Sequence, residues 1–188
     1  MDPGVYPIGM DMDSKTHGQS GFTLIELLIV VAIISIIAAI AVPGLLRARM
    51  TGNETSAIAS LKVTTSSQVA YTASCGNGGY AATYAVLGTP PAGTTEAFIS
   101  ADLGHAVPIR KSGYNFTLGA GAGSTAGPND CNGTGTNSAW TAAASAQTFG
   151  TTGTRQFAVN AGNTIWQSTT VAVPAEPFTT SATVNPVQ

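Results

Sequence analysis

The sequence predicts an α+β protein in which a long amino-terminal α-helix packs on a small carboxy-terminal antiparallel β-sheet. Three observations support this fold class. Residues 27–46 form an apolar run of 20 residues without a charged side chain. Helix-compatible sequence continues past this run until the glycine cluster at residues 76–79. The rest of the chain contains short segments of β-branched and aromatic residues, which favour strands.

The apolar run has the length that a helix needs to cross a hydrocarbon core of roughly 30 Å. By length and hydropathy it fits a membrane helix or a secretory signal. Glu26 lies at the start of this run. An ionisable side chain at membrane depth is costly, so Glu26 marks a functional position for which a partner has to be identified.

The residues around Glu26 form a recognisable string, since residues 21–28 read GFTLIELL. This string resembles the amino-terminal segment of type IV pilins and of type II secretion pseudopilins. The resemblance implies the pilin fold, cleavage between Gly21 and Phe22 by a prepilin peptidase, and methylation of the new amino terminus at Phe22. It also implies that Glu26 pairs with the amino terminus of a neighbouring subunit in a helical homopolymer. An ammonium and a carboxylate that are each costly in lipid offset each other when paired.

This resemblance divides the chain into four parts. Residues 1–21 are a cleaved leader, and residues 22–46 are the transmembrane half of the helix, which becomes the filament core. Residues 47–73 are the amphipathic half of the helix, and residues 74–188 form a globular β-rich head. The precursor is expected to cross the inner membrane once with a cytoplasmic amino terminus, and to meet there a pilus or secretion assembly platform.

The second half of the helix is expected to lie on the sheet. Pro43 removes one helical hydrogen bond, so a kink or local opening is expected there. Beyond it, apolar side chains recur at spacings compatible with one helical face, and these are Leu46, Met50, Ala57, Ile58, Leu61 and Val69. The glycine cluster then predicts the end of the helix.

Four strands are predicted in the head, at residues 114–118, 139–146, 155–160 and 164–169. Residues 161–163 read AGN, a tight-turn sequence that predicts a hairpin between the last two strands. Residues 80–87 are compatible with a strand or a short helix. The tail after Pro174 is rich in Pro and Thr and is expected to be an extended edge or a loose segment.

The chain contains two cysteines, Cys75 and Cys131. In an exported protein an isolated pair predicts one disulfide, with two free thiols as the alternative. The bond would close a loop of about 55 residues and stabilise the head by about 3–4 kcal/mol.

Charge and motif content argue against a nucleic-acid-binding protein and against an enzyme. The chain has 7 basic and 9 acidic residues, of which residues 1–21 hold one and three, leaving 6 of each. No basic patch for nucleic acid results. His105 is the one histidine after the leader, and no catalytic triad, P-loop or dinucleotide fingerprint is present. No cofactor is predicted. Residues 129–133 contain one carboxylate, too few for Ca²⁺, so they predict a turn and no metal site.

The function predicted from the resemblance is that of a structural subunit of a type IV pilus, found in the inner membrane as a precursor and then in an extracellular filament. A periplasmic pseudopilin of a type II secretion system is the alternative within the family. An alternative of another class is a soluble exported binding domain. Residues 39–41 read AIA, and cleavage after Ala41 by signal peptidase would release such a domain.

Overall fold

The computed structural model describes residues 21–105 and 108–187, so the predicted leader lies outside the described residues except for Gly21. The first of two compact units ends at Ala41 and the second begins at Val42. The elements in chain order are α1 (Leu24–Ser74), α2 (Tyr84–Leu87), α3 (Ala101–Gly104), β1 (Arg110–Lys111), β2 (Tyr114–Ala120), β3 (Ala126–Asn129), β4 (Gly135–Asn137), β5 (Trp140–Ala146), β6 (Gln156–Asn160), β7 (Trp166–Ser168) and β8 (Val184–Pro186). Helix α1 followed by antiparallel strands confirms the predicted α+β class.

Helix α1 contains 51 residues and continues through Pro43 without interruption. It ends where the glycine cluster was predicted to end it. The backbone N–H groups of Cys75 and Gly76 both donate to the carbonyl of Tyr71, at 2.9 and 2.7 Å, and so close the last turn. Asn77 then adopts a φ of +51° and Gly78 one of +87°, left-handed conformations that a helix cannot continue through.

The main sheet has six strands in the order β1-β2-β5-β6-β7-β8, and every neighbouring pair is antiparallel. The four predicted strands correspond to β2, β5, β6 and β7, with ends shifted by up to two residues. The predicted hairpin is confirmed, since β6 pairs with β7. Asn163 in its turn has a φ of +60°, which asparagine tolerates better than most residues.

Three features of the head differ from the sequence prediction or sharpen it. Strands β3 and β4 form a separate two-stranded ribbon in a region expected to be a loop between strands. Asn132-Gly133 lies in the turn of this ribbon, a dipeptide that signals hairpins. The tail after Pro174 returns as β8, the edge strand beside β7. Residues 80–87 contain the short helix α2.

The predicted buried face of α1 is wrong in part. Ala57 and Leu61 are buried as expected, but Val69 is 56% exposed and Leu46 is also exposed. Val69 follows Leu61 by eight positions, which places it about 80° further around the helix. The buried face continues instead through polar and aromatic side chains, and its members are Glu54, Ala57, Ser60, Leu61, Thr64, Ser67, Gln68 and Tyr71.

The buried polar side chains of α1 bind groups of the head. The side-chain amide of Gln68 donates to the carbonyl of Ala81 at 3.0 Å and accepts from the N–H of the same residue at 2.9 Å. The hydroxyls of Thr64 and Tyr84 lie 3.0 Å apart. Burial raises the pKa of Tyr84 to about 12, so this phenol stays neutral. Because each group has a partner, the burial of polar atoms is compatible with a stable head.

Glu54 forms an extensive polar contact between α1 and the two residues that directly precede β6. Its side chain is nearly fully buried, and Oε1 accepts from the N–H and the hydroxyl of Thr154 at 2.8 and 3.0 Å. Oε2 accepts from Nε and Nη2 of Arg155 at 2.8 and 2.7 Å. Burial alone would raise the pKa of Glu54, but the hydrogen bonds from Thr154 and Arg155 outweigh it and hold the pKa below its ordinary value.

Replacing Glu54 with glutamine is expected to lower the free energy of unfolding by about 2 kcal/mol at pH 7, because charge-assisted hydrogen bonds are lost. The pKa of Glu54 in the folded state lies below the ordinary value of 4.5. The stabilisation is therefore fully present at pH values above 4.5, and it is lost as the pH falls through the folded-state pKa. Urea unfolding of the detergent-solubilised chain at several pH values measures it.

The control for this experiment is Asp102→Asn, which removes an exposed ion pair with Lys111. An exposed pair contributes less than a buried one, so this variant is expected to change stability by under about 1 kcal/mol. If wild type and Glu54→Gln lose stability in parallel between about pH 5 and pH 3, the buried carboxylate does not have the proposed effect.

The predicted disulfide joins Cys75, directly after α1, to Cys131 in the turn between β3 and β4. The backbone N–H of Cys131 also donates to the carbonyl of Cys75 at 2.8 Å. Covalent and backbone bonds therefore fix the end of α1 to the β3–β4 ribbon, and the prediction of a disulfide is confirmed.

Asp130 organises the turn that contains Cys131. Its Oδ1 accepts from the N–H groups of Asn132 and Thr134, at 2.9 and 2.6 Å, and its Oδ2 accepts from the hydroxyl of Tyr71 at 2.7 Å. These contacts confirm the predicted Asx-type turn. Within the described part of the chain, no group of three or more His, Cys, Asp or Glu residues is placed to hold a metal ion.

Candidate assembly surface

The predicted cleavage point lies just before α1. Gly21, Phe22 and Thr23 precede the first helical residue, and the Phe22 side chain is 78% exposed. Among the described residues, no atom lies within 4 Å of a Cβ built on Gly21. Gly21 is thus a small residue directly before the predicted cut, and Phe22 directly after it is exposed among the described residues.

Glu26 forms a capping box with Thr23 at the start of α1. The N–H and the hydroxyl of Thr23 donate to Oε2 of Glu26, at 2.9 and 2.6 Å. In return, the N–H of Glu26 donates to the Thr23 hydroxyl oxygen at 3.3 Å. Two backbone donors that lack helical partners are thereby satisfied, and a negative charge lies at the positive end of the helix dipole.

The second carboxylate oxygen of Glu26 is available for another contact. All three hydrogen bonds between Thr23 and Glu26 leave Oε1 unused, and among the described residues no other group binds it. Glu26 is also exposed. The carboxylate can therefore cap its own helix through one oxygen and accept a cation through the other.

The first part of α1 is apolar on all sides. The large apolar side chains between Phe22 and Leu46 are each about half exposed or more, and none of them packs into a core of the described residues. By length and composition, α1 contains a segment that could cross a membrane. A helix that is apolar all round requires lipid or other helices to cover it. Arg47 and Arg49, both exposed, follow the end of this run.

The second part of α1 has an outer face of small and apolar side chains. While its inner face buries the polar residues described above, the outer face exposes Ala59, Val63, Ser66, Val69, Ala70 and Ala73. Ala, Ser and Val allow another helix or sheet to approach closely. The outer face is therefore suited to contact with a neighbouring molecule.

Comparison with known proteins gives the amino-terminal segment an identity. A family model described as the prokaryotic N-terminal methylation motif matches residues 16–42. This segment is a prepilin-type amino terminus. This chain is also similar to a curated protein of Thermus thermophilus, the type IV wide pilus major component PilA4. The two are 59% identical over 39 residues, which is 21% of this chain and 30% of the relative.

The match covers about a fifth of this chain and less than a third of the relative's length, and no solved structure matches this chain. The resemblance recognised from the string GFTLIELL to the type IV pilin and pseudopilin family is supported by both comparisons. The head has to be understood from its own structure.

The structure brings the predicted site residues together in part. Gly21, Phe22 and Glu26 lie within one short stretch at the start of α1, whereas Pro43 lies near the other end of the apolar run. Thr23 was not selected from the sequence, although the pattern Thr-x-x-Glu before an apolar run is the signal of a capping box. The roles of Gly21, Phe22, Glu26 and Pro43 remain predictions.

Proposed function

We propose that this chain is the structural subunit of a type IV pilus, processed by prepilin peptidase between Gly21 and Phe22 and methylated on Phe22. The precursor is held in the inner membrane by the apolar part of α1, with a cytoplasmic amino terminus. An assembly platform in that membrane then adds the subunit to a helical filament that extends outside the cell.

One observation supports this proposal above the others, namely a long apolar helix surface that no other described part of the chain covers and that begins with a single carboxylate. In the membrane, lipid covers the apolar side chains of residues 27–46. In a filament, the corresponding helices of other subunits cover the same side chains. The apolar surface is therefore covered both in the membrane and in the filament, and transfer from one to the other does not expose it to water.

Glu26 favours the transfer of the subunit from the membrane to the filament and sets its axial position there. After cleavage, Phe22 would carry a free ammonium group that is as costly in an apolar environment as the Glu26 carboxylate. The unused Oε1 of Glu26 can accept a hydrogen bond from the Phe22 amine of a neighbouring subunit. Pairing between subunits then stabilises both charges and favours the one axial offset that brings them together.

A shear preparation tests the proposal and separates it from the pseudopilin alternative. Filaments sheared from the cell surface are expected to contain this chain as a protein that begins at Phe22. Recovery from the cell envelope alone, with no surface filament, would favour a periplasmic pseudopilin. The name of the similar Thermus protein, a wide pilus major component, favours the surface filament.

A further inference from the structure

The ionised groups of the head are unevenly paired. Glu54 binds Arg155 and Asp102 binds Lys111, while Asp130 and Glu176 accept hydrogen bonds from backbone or amide groups. Glu96 differs from these carboxylates, because it is exposed and has no hydrogen bond or ion pair with any described residue. An assembly that buries the surface around it would have to supply a cation.

Glu96 belongs to a short exposed segment with a fixed shape, residues 92–96, here named the ridge. The side-chain amide of Asn132 accepts from the N–H of Ala92 at 3.0 Å and donates to the carbonyl of Pro90 at 3.2 Å. A turn closes the ridge, since Thr94 N–H donates to the carbonyl of Pro91 at 3.0 Å. These bonds hold the start of the ridge in one shape, which lowers the entropy lost on docking.

The head also has a concave surface of opposite charge, here named the cleft. It has a volume of about 330 Å³ and lies between α1 and the β6–β7 turn. Its lining includes three apolar residues and several polar ones with one cation, among them Ile58, Ile165 and Val187 and Lys62, Asn163 and Thr164. The Lys62 ammonium has no ion pair with a described residue.

The ridge and the cleft lie on opposite flanks of α1. The chain just after the ridge is fixed to α1 by the Ser67 hydroxyl, which donates to the carbonyl of Phe98 at 2.7 Å. Lys62 precedes Ser67 by five positions, or about 140° around the helix. A single chain therefore presents the exposed ridge on one flank and the cleft on the other. Contacts of this heterologous kind repeat from copy to copy and generate rings or helical filaments.

We propose that the ridge of one subunit docks in the cleft of the next, with the Glu96 carboxylate facing the Lys62 ammonium. This inference rests on the proposed function and names a contact between heads within the filament. Arg110 is also exposed and without an ion pair among the described residues, but it lies in β1 on the ridge side, where the neighbouring Lys111 binds Asp102 of α3. Arg47 and Arg49 are exposed too, but they do not line the cleft, so the cleft and its charge select Lys62.

Charge reversal tests this contact in cells that produce filaments. Lys62→Glu and Glu96→Lys are each expected to reduce the amount of sheared filament about tenfold, because like charges would face each other. The double variant, Lys62→Glu with Glu96→Lys, is expected to recover most of the filament. The matched control is Arg110→Glu, which changes the charge equally, is expected to assemble like wild type and is not expected to compensate Glu96→Lys.

A second measurement covers the possibility that a variant fails to fold. In filaments of the Lys62→Cys and Glu96→Cys double variant, oxidation is expected to give a ladder of disulfide-linked oligomers, which neither single variant gives. Absence of the ladder in intact filaments, or normal assembly of both charge-reversal variants, would overturn the docking contact and leave the proposed function standing. Absence of wild-type filaments would overturn both.

Discussion

Glu26→Ala is expected to reduce filament assembly by at least about tenfold while membrane insertion stays intact. Removal of the carboxylate leaves the Phe22 ammonium of a neighbouring subunit unpaired in an apolar environment, which destabilises the filament. Insertion loses nothing, because a polar group is removed from the apolar part of the helix. Sheared filament measured against membrane-bound precursor gives both quantities.

Two further variants separate the roles of the two Glu26 oxygens. Glu26→Gln retains a side chain that can complete the capping box but has no charge, so it is expected to assemble as poorly as Glu26→Ala. Thr23→Ala removes the Thr23 hydroxyl contact to Oε2 and keeps the charge, and it is expected to assemble close to wild type. If Glu26→Gln assembled normally and Thr23→Ala did not, capping and not charge pairing would be the function of this side chain.

Cys75→Ser is expected to lower the free energy of unfolding of the head by about 3–4 kcal/mol, the largest stability change that we predict. The bond spans a sequence separation of 56 residues, so its loss increases the conformational freedom of the unfolded chain considerably. The folded turn is expected to persist, because Asp130 still accepts from Tyr71, Asn132 and Thr134. Denaturant unfolding of the detergent-solubilised chain measures the difference.

Cys131→Ser is the matched control for this loss. It is expected to lower the free energy of unfolding by the same amount as Cys75→Ser. The Cys75→Ser/Cys131→Ser double variant is expected to lose little more, since the same bond is removed in all three variants. Leader cleavage is expected to continue in each variant, because the bond lies in the head. Reaction of both wild-type thiols with a thiol reagent under non-reducing denaturation would show that the bond does not form.

The elements with strong local signals were predicted from the sequence. The apolar run and the glycine cluster defined α1, the AGN turn defined the β6–β7 hairpin, and the two cysteines defined the disulfide. The residues that specify α1 and the hairpin are close together in the sequence. The two cysteines are far apart, but only one pairing between them is possible. Length, composition and turn chemistry were therefore sufficient.

The exposure of Val69 could not be predicted in the same way. The groups that bury the opposite side of α1, such as the backbone of Ala81 and the hydroxyl of Tyr84, lie in a different part of the chain. Hydrophobicity alone predicts that Val69 is buried and Gln68 exposed. The hydrogen-bond partners that allow Gln68 to be buried are found only in the folded head. The inner face of α1 therefore combines apolar residues such as Leu61 with polar residues that bind the head, and Val69 remains exposed.

The β3–β4 ribbon was missed because its strands have little β propensity. Its strands read AGPN and GTN, and glycine, proline and asparagine are depleted in strands. The ridge and the cleft could not be predicted from the sequence either, since each depends on residues that are distant in sequence. Asn132 lies 40 positions from Ala92, and Ile165 lies more than 100 positions from Ile58.

The measurement that tests the central claim most directly is the intact mass and amino-terminal sequence of the protein recovered from cells. We expect a chain that begins at Phe22 and is heavier by one methyl group, which would establish both processing and methylation. A chain that begins at Val42 would show release of a soluble domain after Ala41. That result would contradict the proposed membrane-held subunit and the filament built from its helix.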